Sequence, residues 1–368
     1  MHQREISLRR LVSQQIAQPT FAEPGAVVRW LGAVQAQDYL GALWAVGART
    51  PGATEQTVEQ ALAERRIVRT WPMRGTIHFV APADVRWMLA LLAPRVIKRS
   101  QGRLRQLGLD QATLTASAHV IASALEGGKQ RTRPALYTVL EAAGIAAGGQ
   151  RGLHILGQLA HMGLICFGAR DGKQPTFTLL DEWVPGAAAL PCDEALATLT
   201  LRYFTSHGPA TIQDFVWWAG LTVADAQAGL GSVAGQLSLA HLNGQTYYYA
   251  EAHTASGDDP VHACLLPPFD ELLVAYRDRT ASLDRAYNGL IVPGGNGIFN
   301  PIVVYDGRVV GTWKRVLKAD RALLRLSPFQ PWNDSQAQAL PAAVAHYQRF
   351  LGLPVMLDDR TGQATTDS

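Results

Sequence analysis

The feature that most constrains the fold is an arrangement that recurs three times along the chain, short helices followed by a two-stranded hairpin. In the first copy Ser7 is placed to cap a helix carrying Leu8, Leu11, Val12 and Ile16. Pro24 stands at a first-turn position ahead of Val27, Val28, Leu31 and Val34. Thr54, with Glu55 and Glu59 behind it, opens a third helix that runs to about Arg66. Two β-rich runs follow, Ile67–Trp71 and Thr76–Val80, separated by Pro72, Met73, Arg74 and Gly75.

The second copy has a helix over about Thr113–Leu125, another capped by Thr132 with Pro134 in its first turn and stopped at Gly144, and a third over about Gly152–Met162. Leu164–Phe167 and Thr176–Leu180 then flank a polar turn containing Asp171, Gly172 and Lys173. In the third copy Asp193–Ser206 is helical, Gly208-Pro209 breaks it, Thr211 caps Ile212–Ala219 and Thr222 caps one more helix. Leu237–Leu242 and Gln245–Ala250 flank Asn243-Gly244, the strongest two-residue hairpin signal there is. Three helices and a two-stranded wing make the winged form of the helix-turn-helix.

After about Asp259 the pattern changes to strands, His262–Leu266, Leu290–Pro293, Ile298–Tyr305 and Arg308–Trp313, closed by a helix over about Ser335–Phe350 and a polar, frayed tail from Asp358. The expected fold is therefore mainly α with β wings (α+β). It has three tandem winged-helix units, 1–110, 111–188 and 189–258, and a C-terminal β-rich region over 259–368.

Hydrophobic residues at 48% against 17% charged leave ample material for cores and exclude a disordered or fibrous chain. No apolar stretch approaches the roughly 20 residues that cross a bilayer, and MHQREISLRR lacks an apolar leader, so a cytoplasmic protein without membrane contact is expected. Cys166, Cys192 and Cys264 are far apart and in no C-x-x-C pattern; they read as small buried residues and not as a disulfide or metal framework.

The net charge of +3 is slight, but 28 of the 33 cations are arginine, the better residue for bidentate phosphate contacts. They also cluster. Between Asp84 and Asp110 no acid occurs, while Arg86, Arg95, Lys98, Arg99, Arg103 and Arg105 do. Lys129, Arg131 and Arg133 form a second run, and Lys314, Arg315, Lys318 and Arg321 a third. Such runs on a nearly neutral chain suggest one basic side facing nucleic acid, with Arg99 and Arg103 among its contacts.

The sequence has no G-x-S-x-G, H-E-x-x-H, P-loop or EF-hand loop, and its ten histidines are not spaced as ligands, so neither metal nor organic cofactor is expected. Pro293-Gly294-Gly295-Asn296-Gly297 lies between two expected strands and reads as a hairpin loop, not a phosphate cradle, with insertion into a DNA-facing cleft as the alternative. Asp270 and Glu271 are neighbours that point to different sides of any regular element, and with Arg277, Asp278 and Arg279 they read as a structural ion-pair network. Trp217 and Trp218 read as packing residues of a helix in the third unit.

Leu31-Gly32-Ala33-Val34-Gln35-Ala36-Gln37-Asp38-Tyr39, taken with Met73-Arg74-Gly75-Thr76-Ile77-His78, Leu265-Leu266-Pro267-Pro268-Phe269-Asp270-Glu271 and Gly311-Thr312-Trp313, resembles the AlkZ/YcaQ-type bacterial DNA glycosylases. The resemblance spans roughly Ile6 to Leu351. It implies tandem winged helices around a basic channel, double-stranded DNA with N7-alkylated purines as substrate, and the ability to unhook interstrand crosslinks. The family's catalytic Gln-Φ-Gln element maps onto Gln35, Ala36 and Gln37.

The chemistry is coherent on its own terms. A glutamine amide is no general base, yet its carbonyl accepts and its NH₂ donates, so it can orient water. That suffices when the leaving group is already cationic, as an N7-alkylpurine is, because the glycosidic bond then breaks with oxocarbenium character before water attacks. Residues at i and i+2 share one side only of an extended segment, so Gln35 and Gln37 facing one sugar must leave regular helix. No lysine precedes Lys98 in the first unit to act as a Schiff-base nucleophile, so a monofunctional enzyme leaving an intact abasic site is expected. Arg74 and His78, on the first wing, are candidate DNA contacts, with a structural role in the turn as the alternative. The competing reading is a non-catalytic winged-helix DNA-binding protein or transcription regulator, but no heptad or spare amphipathic helix offers the dimer element such regulators need, and a monomer is expected.

Overall fold

A computed structural model describes residues 2–186, 189–251 and 263–358, and helices dominate it. All three expected hairpins are present. Strands β1 (Ala33–Gln35), β2 (Val68–Met73), β3 (Thr76–Val80), β4 (Arg131–Thr132), β5 (Ile165–Phe167) and β6 (Thr176–Leu179) form one six-stranded sheet, ordered β1-β3-β2-β5-β6-β4. The first two hairpins are thus fused across Arg69 and Phe167, a junction that no local pattern announces. The third hairpin, β7 (Ser238–Leu242) and β8 (Gln245–Tyr249), forms a separate two-stranded sheet, bridged to Ala210 through Tyr248.

Three helix starts follow the caps read from sequence, while Thr132 takes the cap position of Arg133–Ala142 without a side-chain bond. Thr54, Thr211 and Thr222 each accept from a backbone N–H three residues on and so hold the helices Glu55–Ala63, Ile212–Ala219 and Val223–Val233. Ser7 does not cap; the first helix, Gln3–Ser13, begins at His2, and Ser7 lies inside it with its hydroxyl donating to the Arg4 carbonyl. The helix Tyr39–Gly47 was not expected. It is buried on nearly every side, so its sequence carries no amphipathic period to read.

The C-terminal region is a five-stranded sheet ordered β13-β12-β11-β10-β9, from β9 (Ala263–Leu266), β10 (Ile302–Tyr305), β11 (Arg308–Leu317), β12 (Ala322–Pro328) and β13 (Val355–Leu357). Two of these strands, β12 and β13, were not anticipated. Leu290–Pro293 is no strand: Asn288–Ile291 forms a helical turn and Pro293–Gly295 a 3-10 turn, so the glycine-rich stretch is not a hairpin loop. The closing helix, Asp334–Leu351, packs back on the first unit, where Tyr347 and Phe350 cover the Trp44 ring at 4.9 Å each between centroids. His262, the tail beyond Asp358 and the expected boundary at residue 258 lie outside the described residues.

Two buried contacts are among those that fasten the C-terminal region to the first unit. The Trp44 indole donates to the Leu265 carbonyl at 2.7 Å. The Arg49 guanidinium reaches both Asp270 oxygens at 2.8 and 2.9 Å, and both side chains are fully buried. Asp270 therefore pairs with Arg49 and not with the Arg277–Arg279 stretch. This bidentate pair delivers the next residue, Glu271, to the far side of β1. Of the three cysteines, Cys166 is buried, Cys264 is half-buried and Cys192 is exposed, contrary to the expectation that all were buried.

Candidate active site

Gln35 ends β1, opposite His78 in antiparallel register with β3, and the chain stays extended beyond it, with the Ala36 N–H bonded to the Ile77 carbonyl at 2.7 Å. Gln35 thus ends a strand and Gln37 lies at the bend that follows, so the pair stands outside regular helix, as facing one sugar requires. Gln35 is 9% exposed and Gln37 is exposed. Asp38, next in line, is engaged as the cap of the following helix through the Gly41 N–H at 2.7 Å.

Neither glutamine is loose. The Gln37 Oε1 accepts from the Ile77 backbone N–H at 2.8 Å, and the Gln35 Oε1 accepts from the Arg74 Nη2 at 3.0 Å. Both partners only donate, so each amide must present its oxygen to them and leave its NH₂ on the other side. Each carbonyl retains a second lone pair for water.

Arg74 and Gly75 are the two central residues of the β2–β3 turn, both at positive φ (57° and 79°), which matches a tight primed hairpin turn. An arginine there carries backbone strain that glycine would avoid, and its side chain accounts for the choice. Its Nη2 reaches Gln35 and also the His78 Nε2 at 3.2 Å. His78 Nδ1 lies 2.9 Å from the Thr76 carbonyl, which can only accept, so Nδ1 carries the proton and Nε2 receives Arg74. Burial, with Arg74 second, holds His78 well below the usual imidazole range, so the ring is neutral. Arg74 is itself lowered by burial, with the Glu271 carboxylate opposing the shift.

His78 is 0% exposed with both ring nitrogens engaged. It offers no atom to a phosphate, so the expected DNA contact at this position is corrected: the inward face of the wing takes the ring into the core. Arg74 is half-buried and directed at Gln35.

Three residues at the site are not expected there from the sequence: Arg69 is not singled out, and Glu271 and Trp218 read only as structural. Arg69 donates to the Ala36 carbonyl at 3.1 Å and lies over the Phe167 and Tyr39 rings, at 4.3 and 5.1 Å from their centroids; burial lowers it to about 10. Glu271 accepts the Gln35 backbone N–H at 3.2 Å. Trp218 donates its indole N–H to the other Glu271 oxygen at 3.0 Å. Trp218 is a packed core residue as expected, whereas its neighbour Trp217 is 46% exposed. A cleft of about 430 Å³ opens beside Ile77 between the first wing and the second helical group, lined among others by Arg69, Trp71, Phe167, Phe177 and Arg133.

On the helix Val85–Gln106, Lys98, Arg99, Arg103 and Arg105 are exposed, while Arg86 pairs with Asp181 and Arg95 with Asp225. Arg99 and Arg103 are four residues apart and share a face. The third basic run lies on the β11–β12 hairpin, where Lys314, Lys318 and Arg321 are exposed beside Val316 and Leu317. Among the described residues no group of three or more His, Cys, Asp or Glu is placed to hold a metal ion, and no helix is long and apolar enough to cross a membrane.

Comparison with known proteins agrees in extent with this architecture. Residues 28–350 match the family described as DNA glycosylase AlkZ-like. An interstrand DNA cross-link repair glycosylase of Streptomyces sahachiroi is 27% identical over 370 residues, covering 96% of this chain and 98% of that protein. The solved structure of Streptomyces sahachiroi DNA glycosylase AlkZ superposes with a TM-score of 0.79 at 25% identity, over 97% of this chain and all of the other.

Proposed function

This chain belongs to the AlkZ-like DNA glycosylase family and is a DNA-repair hydrolase acting on DNA; from that premise we propose that it excises cationic N7-alkylated purines, that Gln35 and Gln37 carry the hydrolytic step, and that it unhooks interstrand crosslinks. The observation that carries the reading is the non-helical Gln35-Ala36-Gln37 segment at the end of β1, whose two amides are each oriented by a donor that cannot accept. The Streptomyces relative's name, an interstrand cross-link repair glycosylase, supports the crosslink half.

In this mechanism the alkylated purine leaves with its bonding electrons and its positive charge passes to the sugar as an oxocarbenium ion. Water held by the free lone pairs of the Gln35 and Gln37 carbonyls adds to that carbon and then loses its proton to solvent. No strong base is needed, because the leaving group has been made good by alkylation. We read the scaffold as three winged-helix units over 1–110, 111–188 and 189–258 with a C-terminal region over 259–368. It works as a cytoplasmic monomer on double-stranded DNA, with Arg74, Arg99 and Arg103 on the side facing it.

Single-turnover excision of N7-methylguanine by Gln35→Ala and Gln37→Ala should fall at least about tenfold, about 1.4 kcal/mol of barrier, with lesion-DNA affinity nearly unchanged. Wild-type rates in both variants would falsify the assignment. A parallel assay in excess EDTA should release N7-methylguanine at full rate and leave uracil in place. Comparable uracil release, loss of activity in EDTA, or a borohydride-trapped protein–DNA adduct would each overturn part of the mechanism.

A further inference from the structure

We infer that Glu271 is a positioning residue of the glycosylase reaction, the carboxylate that fixes Gln35 in its working orientation from behind. The inference rests on the reading of Gln35 given above. β1 is the edge of its sheet and pairs on one side only, with β3. The Ala36 N–H points at β3, so by strand alternation the N–H of Gln35 points away from it, toward the open edge. Glu271 Oε1 meets that N–H at 3.2 Å, in the place a further strand would take.

The other oxygen, Oε2, accepts from the Trp218 indole at 3.0 Å and lies 3.5 Å from the His207 Nε2. Glu271 is 1% exposed and His207 and Trp218 are fully buried. A carboxylate out of water is costly unless donors and charge surround it, and an apolar residue would fill the same space without that cost. Two arginines, Arg49 and Arg74, lie within the electrostatic reach of the carboxylate, and the Arg74 Nη2 holds the Gln35 side-chain oxygen. Glu271 therefore holds the Gln35 backbone directly, while Arg74 holds its amide from the other side. Three distant stretches of sequence converge on it: the first wing, the third helical group and the start of the C-terminal region.

Substituting Glu271→Gln keeps the shape but removes the charge and turns an NH₂ toward one of the two facing N–H groups. In the full-length protein, single-turnover excision of N7-methylguanine should slow at least about tenfold while lesion-DNA affinity changes less than about threefold. A purely structural role predicts additive losses, whereas action through Gln35 predicts that Gln35→Ala/Glu271→Gln is no slower than Gln35→Ala alone. A wild-type rate in Glu271→Gln, an affinity loss matching the rate loss, or additivity in the double variant overturns the inference while Gln35→Ala remains slow. A wild-type rate in Gln35→Ala instead overturns the underlying reading and this inference with it. Should Glu271→Gln not fold, Trp218→Phe decides, since it removes one donor and keeps the ring packing. A loss of threefold or more in rate at unchanged affinity supports the role, and a wild-type rate overturns it.

Discussion

His78 is kept neutral by burial, and that has a sign. Its folded value lies well below 6.5, so the unfolded chain binds a proton more readily once the pH drops beneath the ordinary imidazole range. The stability gained by keeping the ring neutral is complete above about pH 6.5 and is lost as the pH falls below it. His154, His161 and His346 are lowered in the same direction, chiefly by burial. Melting temperature is therefore expected to fall between pH 7.5 and 5.5, and His78→Gln, which cannot titrate yet can still accept from Arg74, should flatten that dependence. An identical slope in the variant would show that the buried ring is not the titrating group. The sequence placed Arg74 and His78 on a wing and the two glutamines on one motif. What it could not give was direction: alternation along a strand says that neighbours differ in face, not which face meets the core.

At the scale of elements, the helix Val85–Gln106 separates charges that the sequence lists together. Arg86 and Arg95 are held by Asp181 and Asp225, acids far away in the chain, and Arg99 and Arg103 are left exposed. Neutralising Arg99 and Arg103 together should weaken DNA binding and reduce its salt slope by roughly one to two, while Arg95→Gln should leave the slope almost unaltered. Equal slopes in all three proteins would put this face away from DNA. The basic run was legible because composition is local, whereas its two internal ion pairs depend on tertiary neighbours. Hairpins were read well for the same reason, since turn chemistry sits within a few residues. The apolar helix Tyr39–Gly47 and the three-residue strand β1 were not, one having no polar face and the other being too short for a period.

Across the whole molecule, the C-terminal region is an integral part of the first unit. Gly47 shows how closely: a Cβ there would come within 2.2 Å of the Phe350 ring. Gly47→Ala should accordingly cost about 1–3 kcal/mol by overpacking. Asp270→Ala leaves Arg49 buried without its carboxylate and should cost about 3–5 kcal/mol, read as a lower denaturant midpoint at unchanged slope. A midpoint at the wild-type value would mean the pair adds nothing. The overall helix-and-hairpin order was legible, but the fusion of two hairpins through Arg69 and Phe167 and the docking of Asp270 on Arg49 join residues too distant for any local rule to connect.

The Gln35–Glu271 hydrogen bond joins residues 236 positions apart, and this sets the order in which the protein comes into being. At ribosomal speeds of roughly 5–20 residues per second, the motif strand is made on the order of 10–50 s before the carboxylate that closes its edge. Through that interval the emerging chain carries both glutamines with the outward N–H of β1 unpaired, an edge that another strand could occupy. A prematurely terminated chain ending before Asp270 would keep the glutamines and the basic helix while lacking the clamp. Such a fragment would also lack the Asp270 carboxylate for the buried Arg49 and the aromatic cover of Trp44, so the first-made unit is completed only when the last-made part of the chain folds back onto it.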